Sequence, residues 1–178
     1  MNLPLLVLAV FTCGFKAAYS QEILTVEKSA KDMYVSSKQW VATNFTSANS
    51  VIQVDVPSEK LLIKGVKKTI IYSTINNRNT PVDYVFDLII MLDFKENKCR
   101  VNVQSSETFP PLSPERVSEY VDSVIKATPG GGMLGKKFRE EMKINTISMY
   151  KQKEEAVRNE LEAIRVSLKN NLNKSDNW

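Results

Sequence analysis

The chain has 178 residues, 43% of them hydrophobic, and a formal net charge of +4 with no histidine. Without imidazole there is no Ser-His-Asp or Cys-His catalytic system and no zinc site that needs histidine. The charge is too mild to mark a nucleic-acid binder, and no nucleic-acid partner is expected.

Met1 to Ser20 reads as a secretory signal peptide. Leu3 to Phe11 is an apolar stretch of h-region length, and Ala18-Tyr19-Ser20 places small residues at both positions a signal peptidase inspects. The run is too short to span a bilayer, which takes about 20 apolar residues. Cleavage after Ser20 starts the mature chain at Gln21. Lys16 is the one charged side chain removed, so the mature charge is +3. The expected location is the periplasm or the extracellular space. Lipid anchoring at Cys13 is the alternative, although Thr12 before it fits that pattern poorly. Cys99 is then a lone thiol with no internal disulfide partner, expected as a buried small hydrophobe.

Ser29 to Phe45 carries Met33, Trp40, Val41 and Phe45 near a 3.6 period, which predicts a helix capped by Ser29 with Asp32 three residues on. Val51 to Val56 alternates as a strand. Leu61 to Val66 and Thr69 to Thr74 read as one bent strand or two, with a bulge at Gly65, and Asn76 to Pro81 reads as a loop.

Val82 to Phe94 is the clearest element. Every even position is apolar, while the odd face holds Asp83, Asp87 and Asp93 among Val85, Ile89 and Met91. This predicts a strand with one buried face. The turn Lys95 to Lys98 leads to a return strand, Cys99 to Glu107. A register in which paired numbers sum to 193 sets Phe94 on Cys99, Leu92 on Val101 and Ile90 on Val103, with Asp93 on Arg100 across the other face. A one-residue slip would ruin both faces.

Ser113-Pro114 opens a second helix with Val117, Val121, Val124 and Ile125 as its stripe. Thr128-Pro129 stops it, and Gly130 to Gly132 reads as a hinge. Met133 to Leu172 is helix-like, with a break expected near Ile144 to Ile147. The stripe Val157, Leu161, Ile164 and Leu168 could pack on the domain or on a partner helix.

Trp40-Val41-Ala42-Thr43-Asn44-Phe45, Ser47-Ala48-Asn49-Ser50-Val51-Ile52-Gln53, Ile63-Lys64-Gly65 and Lys98-Cys99-Arg100 together resemble an exported bacterial family of unknown function. That family is described as having a fold like the TATA-box-binding protein (TBP-like). The likeness covers about residues 28–105, with Cys99 where an aromatic residue would be expected. It implies an α+β fold, a curved antiparallel sheet of about four to five strands with helices on one face. It carries no activity, cofactor or catalytic residue. A fold shared with a DNA-binding protein does not confer DNA binding.

The expected organisation is a signal peptide at 1–20, an α+β domain at 21–128, a glycine-rich hinge at 129–132 and a helical C-terminal extension at 133–178. No catalytic, cofactor or metal residue stands out. Asp83 and Asp87 lie about 13 Å apart by strand rise, wider than a glycosidase pair. Gly130-Gly131-Gly132 with Lys136-Lys137 lacks the Gly-Lys-Ser/Thr of a phosphate loop. The candidate partner-binding residues are the stripe Val157, Leu161, Ile164 and Leu168, and the basic run Lys60, Lys64, Lys67 and Lys68. The reading is an exported, non-catalytic envelope protein that binds a protein or surface glycan through its sheet or its helical tail. Weak self-association through the tail is a further expectation. The alternative is a secreted hydrolase whose carboxylates are assembled across strands.

Overall fold

The computed structural model describes residues 17–75, 78–109, 112–127 and 135–174. Five strands form one open antiparallel sheet: β1 (Ala17–Thr25), β2 (Ile52–Val56), β3 (Lys60–Ile75), β4 (Arg78–Lys95) and β5 (Lys98–Thr108), in the order β1-β5-β4-β3-β2. Helices α1 (Ala30–Asn44), α2 (Ala48–Val51), α3 (Pro114–Ala127) and α4 (Lys136–Asn173) complete the described chain.

The hairpin β4–β5 has the register the alternation demands. Phe94 faces Cys99, Leu92 faces Val101, Ile90 faces Val103 and Asp93 faces Arg100. Asn97, in the tight turn, takes a φ of 59°, a left-handed conformation asparagine tolerates. The even face of β4 joins the core: Phe86, Leu88, Ile90, Leu92 and Phe94 are all buried.

β3 is one uninterrupted strand, paired with β4 from Lys60–Asp93 to Ile75–Arg78 without a register shift. Gly65 is therefore not a bulge. Its missing side chain makes room for the Phe45 ring, whose Cε1 would lie 2.8 Å from an added Cβ. Gly65→Ala should cost about 1–3 kcal/mol as the ring is displaced, read as a lower midpoint in urea denaturation with unchanged slope. A neutral substitution would mean that the Phe45 contact is dispensable.

The segment read as a loop before Val82 is largely strand, since Arg78 to Pro81 belong to β4. Pro81 faces Tyr72, whose own N–H points away from β4. In an antiparallel ladder this makes 72–81 a non-hydrogen-bonded pair, so the absent proline N–H breaks no bond to β3.

Ser29 caps α1, accepting from the Asp32 N–H at 3.1 Å. The Ser113 hydroxyl accepts from the Arg116 N–H at 3.3 Å and caps α3. Val117, Val121 and Ile125 of α3 form a small separate cluster with Leu112, Met142 and Ile147, so α3 packs on α4. The predicted hinge at Gly130 to Gly132 lies outside the described residues. No helix among the described residues is long and apolar enough to cross a membrane.

The main correction concerns the C-terminal segment. α4 is a continuous helix of 38 residues with no break at Ile144 to Ile147, about 57 Å long by helical rise. Val157, Leu161, Ile164, Leu168 and Leu172 are buried in the same core as the even face of β4. The segment is the helical layer of the domain. A stripe at steps of four, three and four reports that a helix has one buried face and not what covers it. The inner face of a five-stranded sheet needs a long cover, and α1 with its 15 residues is too short to supply it.

Candidate interaction surface

The inner face of the sheet is closed by polar clamps as well as by the core. Near one end of α4, Asn145 Oδ1 accepts from the Thr74 N–H at 2.6 Å. Gln152 Oε1 accepts from the Tyr72 N–H at 2.8 Å, and Gln152 Nε2 donates to the Tyr72 carbonyl at 2.9 Å. Further along, Lys67 pairs with Glu160 at 2.9 Å, and Trp40 Nε1 donates to Ser167 Oγ at 2.9 Å. Towards its end, Arg165 and Lys169 both hold Glu22 of β1. α4 thus crosses the sheet from β3 to β1.

The opposite face carries no helix among the described residues. Register places its side chains in rows. Ile23, Arg100, Asp93 and Lys60 lie in one row, and Asn102, Met91 and Leu62 in the next. Ile89, Met91 and Leu62 are half-buried in its centre. Along β3 and β4 the face continues as a two-stranded arm bearing Val66 (63% exposed), Ile70 (55%), Tyr72 (49%) and Val85 (53%). Ile23 on β1 is 62% exposed. Charged groups are interleaved: Asp93 sits between Arg100 at 3.9 Å and Lys60 at 4.0 Å, and Lys68 pairs with Asp83 at 2.7 Å.

The sequence candidates divide accordingly. Lys60, Lys64 and Lys68 lie on the open face. Lys67 points to the inner side and is held by Glu160, so the basic run is not one stripe. Val157, Leu161, Ile164 and Leu168 are in the core and present no surface to a partner. What the sequence reading missed is the apolar content of the open face, namely Ile23, Val66, Ile70, Tyr72 and Val85. The available signal was the odd positions of β4, which interleave Val85, Ile89 and Met91 with aspartates where a solvated face would be wholly polar.

The carboxylates singled out in the sequence have partners of their own. Asp83 is engaged by Lys68, and Asp87 accepts from the Ser106 hydroxyl at 3.0 Å. Burial pushes the Cys99 thiol up to about 12, with Asp93 adding to the shift, so it is no thiolate nucleophile. Burial likewise pushes the Tyr84 phenol up to about 12, with the Glu107 carboxylate adding to it. Among the described residues no group of three or more Cys, Asp or Glu side chains could hold a metal ion.

One exposed triad is coupled. Asp55 of β2 accepts from Lys38 at 2.9 Å and from the Tyr34 hydroxyl at 2.5 Å. The hydrogen bond from Lys38 is the main cause that holds the Asp55 carboxyl below its ordinary 3.8, followed by that from Tyr34. A lowered folded value means that the contribution is present above the unfolded value and is lost as pH falls through the folded one. The stability difference between the native protein and Asp55→Asn should therefore be present at neutral pH and vanish in acid. Thermal melts across that range check it, and a difference that persists in strong acid would show that the hydrogen bonds do not need the charge.

A solved structure of a DUF4468 family protein from Bacteroides ovatus superposes with a TM-score of 0.49 at 8% identity, covering 90% of this chain and 88% of that one. No curated protein matches the chain. Residues 19–107, half of the sequence and all of the sheet except its first two and last positions, match the family described as "Domain of unknown function (DUF4468) with TBP-like fold". The chain belongs to the DUF4468 family, a family of unknown function with a TBP-like fold.

Proposed function

We propose that this chain is an exported, non-catalytic envelope protein that holds a protein partner on the helix-free face of its sheet. The observation that carries this reading is the exposure of Ile23, Val66, Ile70, Tyr72 and Val85 on one face, interleaved with Lys60, Lys64, Lys68 and Arg100. An apolar surface rimmed by polar groups is the signature of an interaction site. Aromatic and arginine side chains are the residue types that anchor protein interfaces. The dispersed carboxylates and the raised Cys99 thiol support a binding role over hydrolysis.

Export rests on the Leu3 to Phe11 stretch and on Ala18-Tyr19-Ser20. Cleavage after Ser20 leaves Gln21 to Thr25 in β1, still opposite Asn102 to Lys98. N-terminal sequencing of the secreted protein should begin at Gln21, and a lipidated start at Cys13 would replace the soluble assignment with an anchored one.

The binding role is tested by cross-linking and affinity capture from the native envelope fraction, with two variants in parallel. Ile70→Glu with Val85→Glu should lose the captured protein while keeping the native circular dichroism spectrum. Glu155→Gln, at an exposed position of α4, should retain it. Equal capture by all three proteins would exclude the open face as the binding surface.

A further inference from the structure

The outer row of β3 alternates Lys64, Val66, Lys68 and Ile70, all exposed. The same strand is an open edge at these positions. β2 pairs with β3 only from Lys60 to Ile63, whereas β4 pairs with β3 along its whole length. In an antiparallel ladder, residues of one parity turn both backbone groups toward the same neighbour. Tyr72 and Thr74 turn theirs away from β4, toward Gln152 and Asn145. Val66, Lys68 and Ile70 share that parity, so their N–H and C=O groups point out of the sheet edge.

The molecule itself shows what this edge accepts. The Gln152 amide takes the Tyr72 N–H and donates to the Tyr72 carbonyl, which is what a residue of a neighbouring strand would do. The far end of the edge is thus closed by a side-chain imitation of a strand, and the near end by β2. Between them lies a window of about one short strand.

We infer that an extended segment of a partner protein adds as a sixth strand along Val66 to Ile70, with acidic residues opposite Lys64 and Lys68 and apolar residues opposite Val66 and Ile70. Main-chain hydrogen bonds supply affinity in this mode, and the alternate side chains supply specificity. Opposite charges across a strand pair stabilise it, and β-branched pairs add to it. A second copy docking through the same edge in registers centred on Val66 or Lys68 would set lysines against lysines, which is destabilising. The inference rests on the protein-binding reading above and names the chemistry of the partner segment.

The probe is a short peptide of repeat Glu-Thr-Val-Thr, which sets Glu and Val alternately along one face of an extended strand, titrated into the full chain and followed by amide NMR. The Val66, Lys68 and Ile70 amides should shift and exchange with solvent more slowly when the peptide is bound. A peptide of the same repeat with Lys in place of each Glu should bind more weakly. Lys68→Pro removes one outward N–H without touching the β4 ladder, and proline is tolerated at such an edge. It should weaken peptide binding about tenfold, as the loss of a hydrogen bond together with the charge predicts, with an unchanged melting temperature. Lys68→Ala keeps the N–H and should weaken binding less. Equal losses in the two variants, or no loss in Lys68→Pro, would overturn strand addition. So would Val66, Lys68 and Ile70 amides that already exchange as slowly as Leu92 in the free protein, or no peptide binding at all. Shifts confined to Ile23 and Val85, indifferent to Lys68→Pro, would overturn the edge and leave the open face standing. A dimer abolished by Lys68→Pro would replace the foreign segment with a second copy of this chain.

Discussion

A chain ending at Ala127 is expected to be unfolded. α4 contributes Val157, Leu161, Ile164, Leu168 and Leu172 to the core, each at most 5% exposed. Burying such side chains stabilises by about 1.5–3 kcal/mol each, or roughly 8–15 kcal/mol for the five. A whole domain has a net stability of about 5–15 kcal/mol. Removal of α4 would also bare the inner face of the sheet, including Phe86 and Ile71. The loss therefore matches or exceeds everything that keeps the domain folded. Far-ultraviolet circular dichroism and a thermal melt of the truncated chain test this. A cooperative transition in that chain would show that β1 to β5 and α1 make a self-sufficient core, and α4 would revert to an appendage.

Two adjacent residues of β4 give the second large effect. Leu92 is wholly buried, opposite Val101 and Leu61, and Leu92→Ala should destabilise by about 2–5 kcal/mol. Asp93, on the open face, makes only long ion pairs with Arg100 and Lys60, both partly in solvent. Exposed pairs of that kind are worth about 0–1 kcal/mol, so Asp93→Ala should be nearly silent. Urea denaturation of the two variants measures the contrast. Equal midpoints would mean that the two faces of β4 are assigned the wrong way round.

The α+β class, the hairpin register and both N-caps were legible in the sequence because each is a local pattern. Alternation from Val82 to Phe94 can bury only one face. Ser29 and Ser113 announce helix starts whatever lies around them. The misread elements depended on distant partners. Gly65 read as a bulge because its reason, the Phe45 ring, lies 20 residues earlier in the chain and meets it only in the fold. Pro81 read as a loop residue because nothing nearby says that its N–H would face away from β3. The stripe on α4 was visible, but its periodicity is the same against a sheet as against a partner helix. Of the candidate surface, Lys60, Lys64 and Lys68 were found from composition. Lys67 was assigned to the same group because sequence adjacency hides the alternation that sends it to Glu160. β1 was overlooked, since Gln21 to Thr25 follows the proposed cleavage point and is too short to show a period.

The contact between Glu22 and Arg165 has a consequence for how the domain forms. Its two residues are separated by 143 positions. β1 and α4, the first and last elements described, close on each other at one edge of the sheet, and α1 alone covers only part of the inner face until α4 is in place. A fragment without α4 can bury only part of its apolar surface. The inner face is completed only when α4 is available, and contacts of such long sequence separation slow the folding of a domain. During that interval the bare strands are the part most exposed to mispairing.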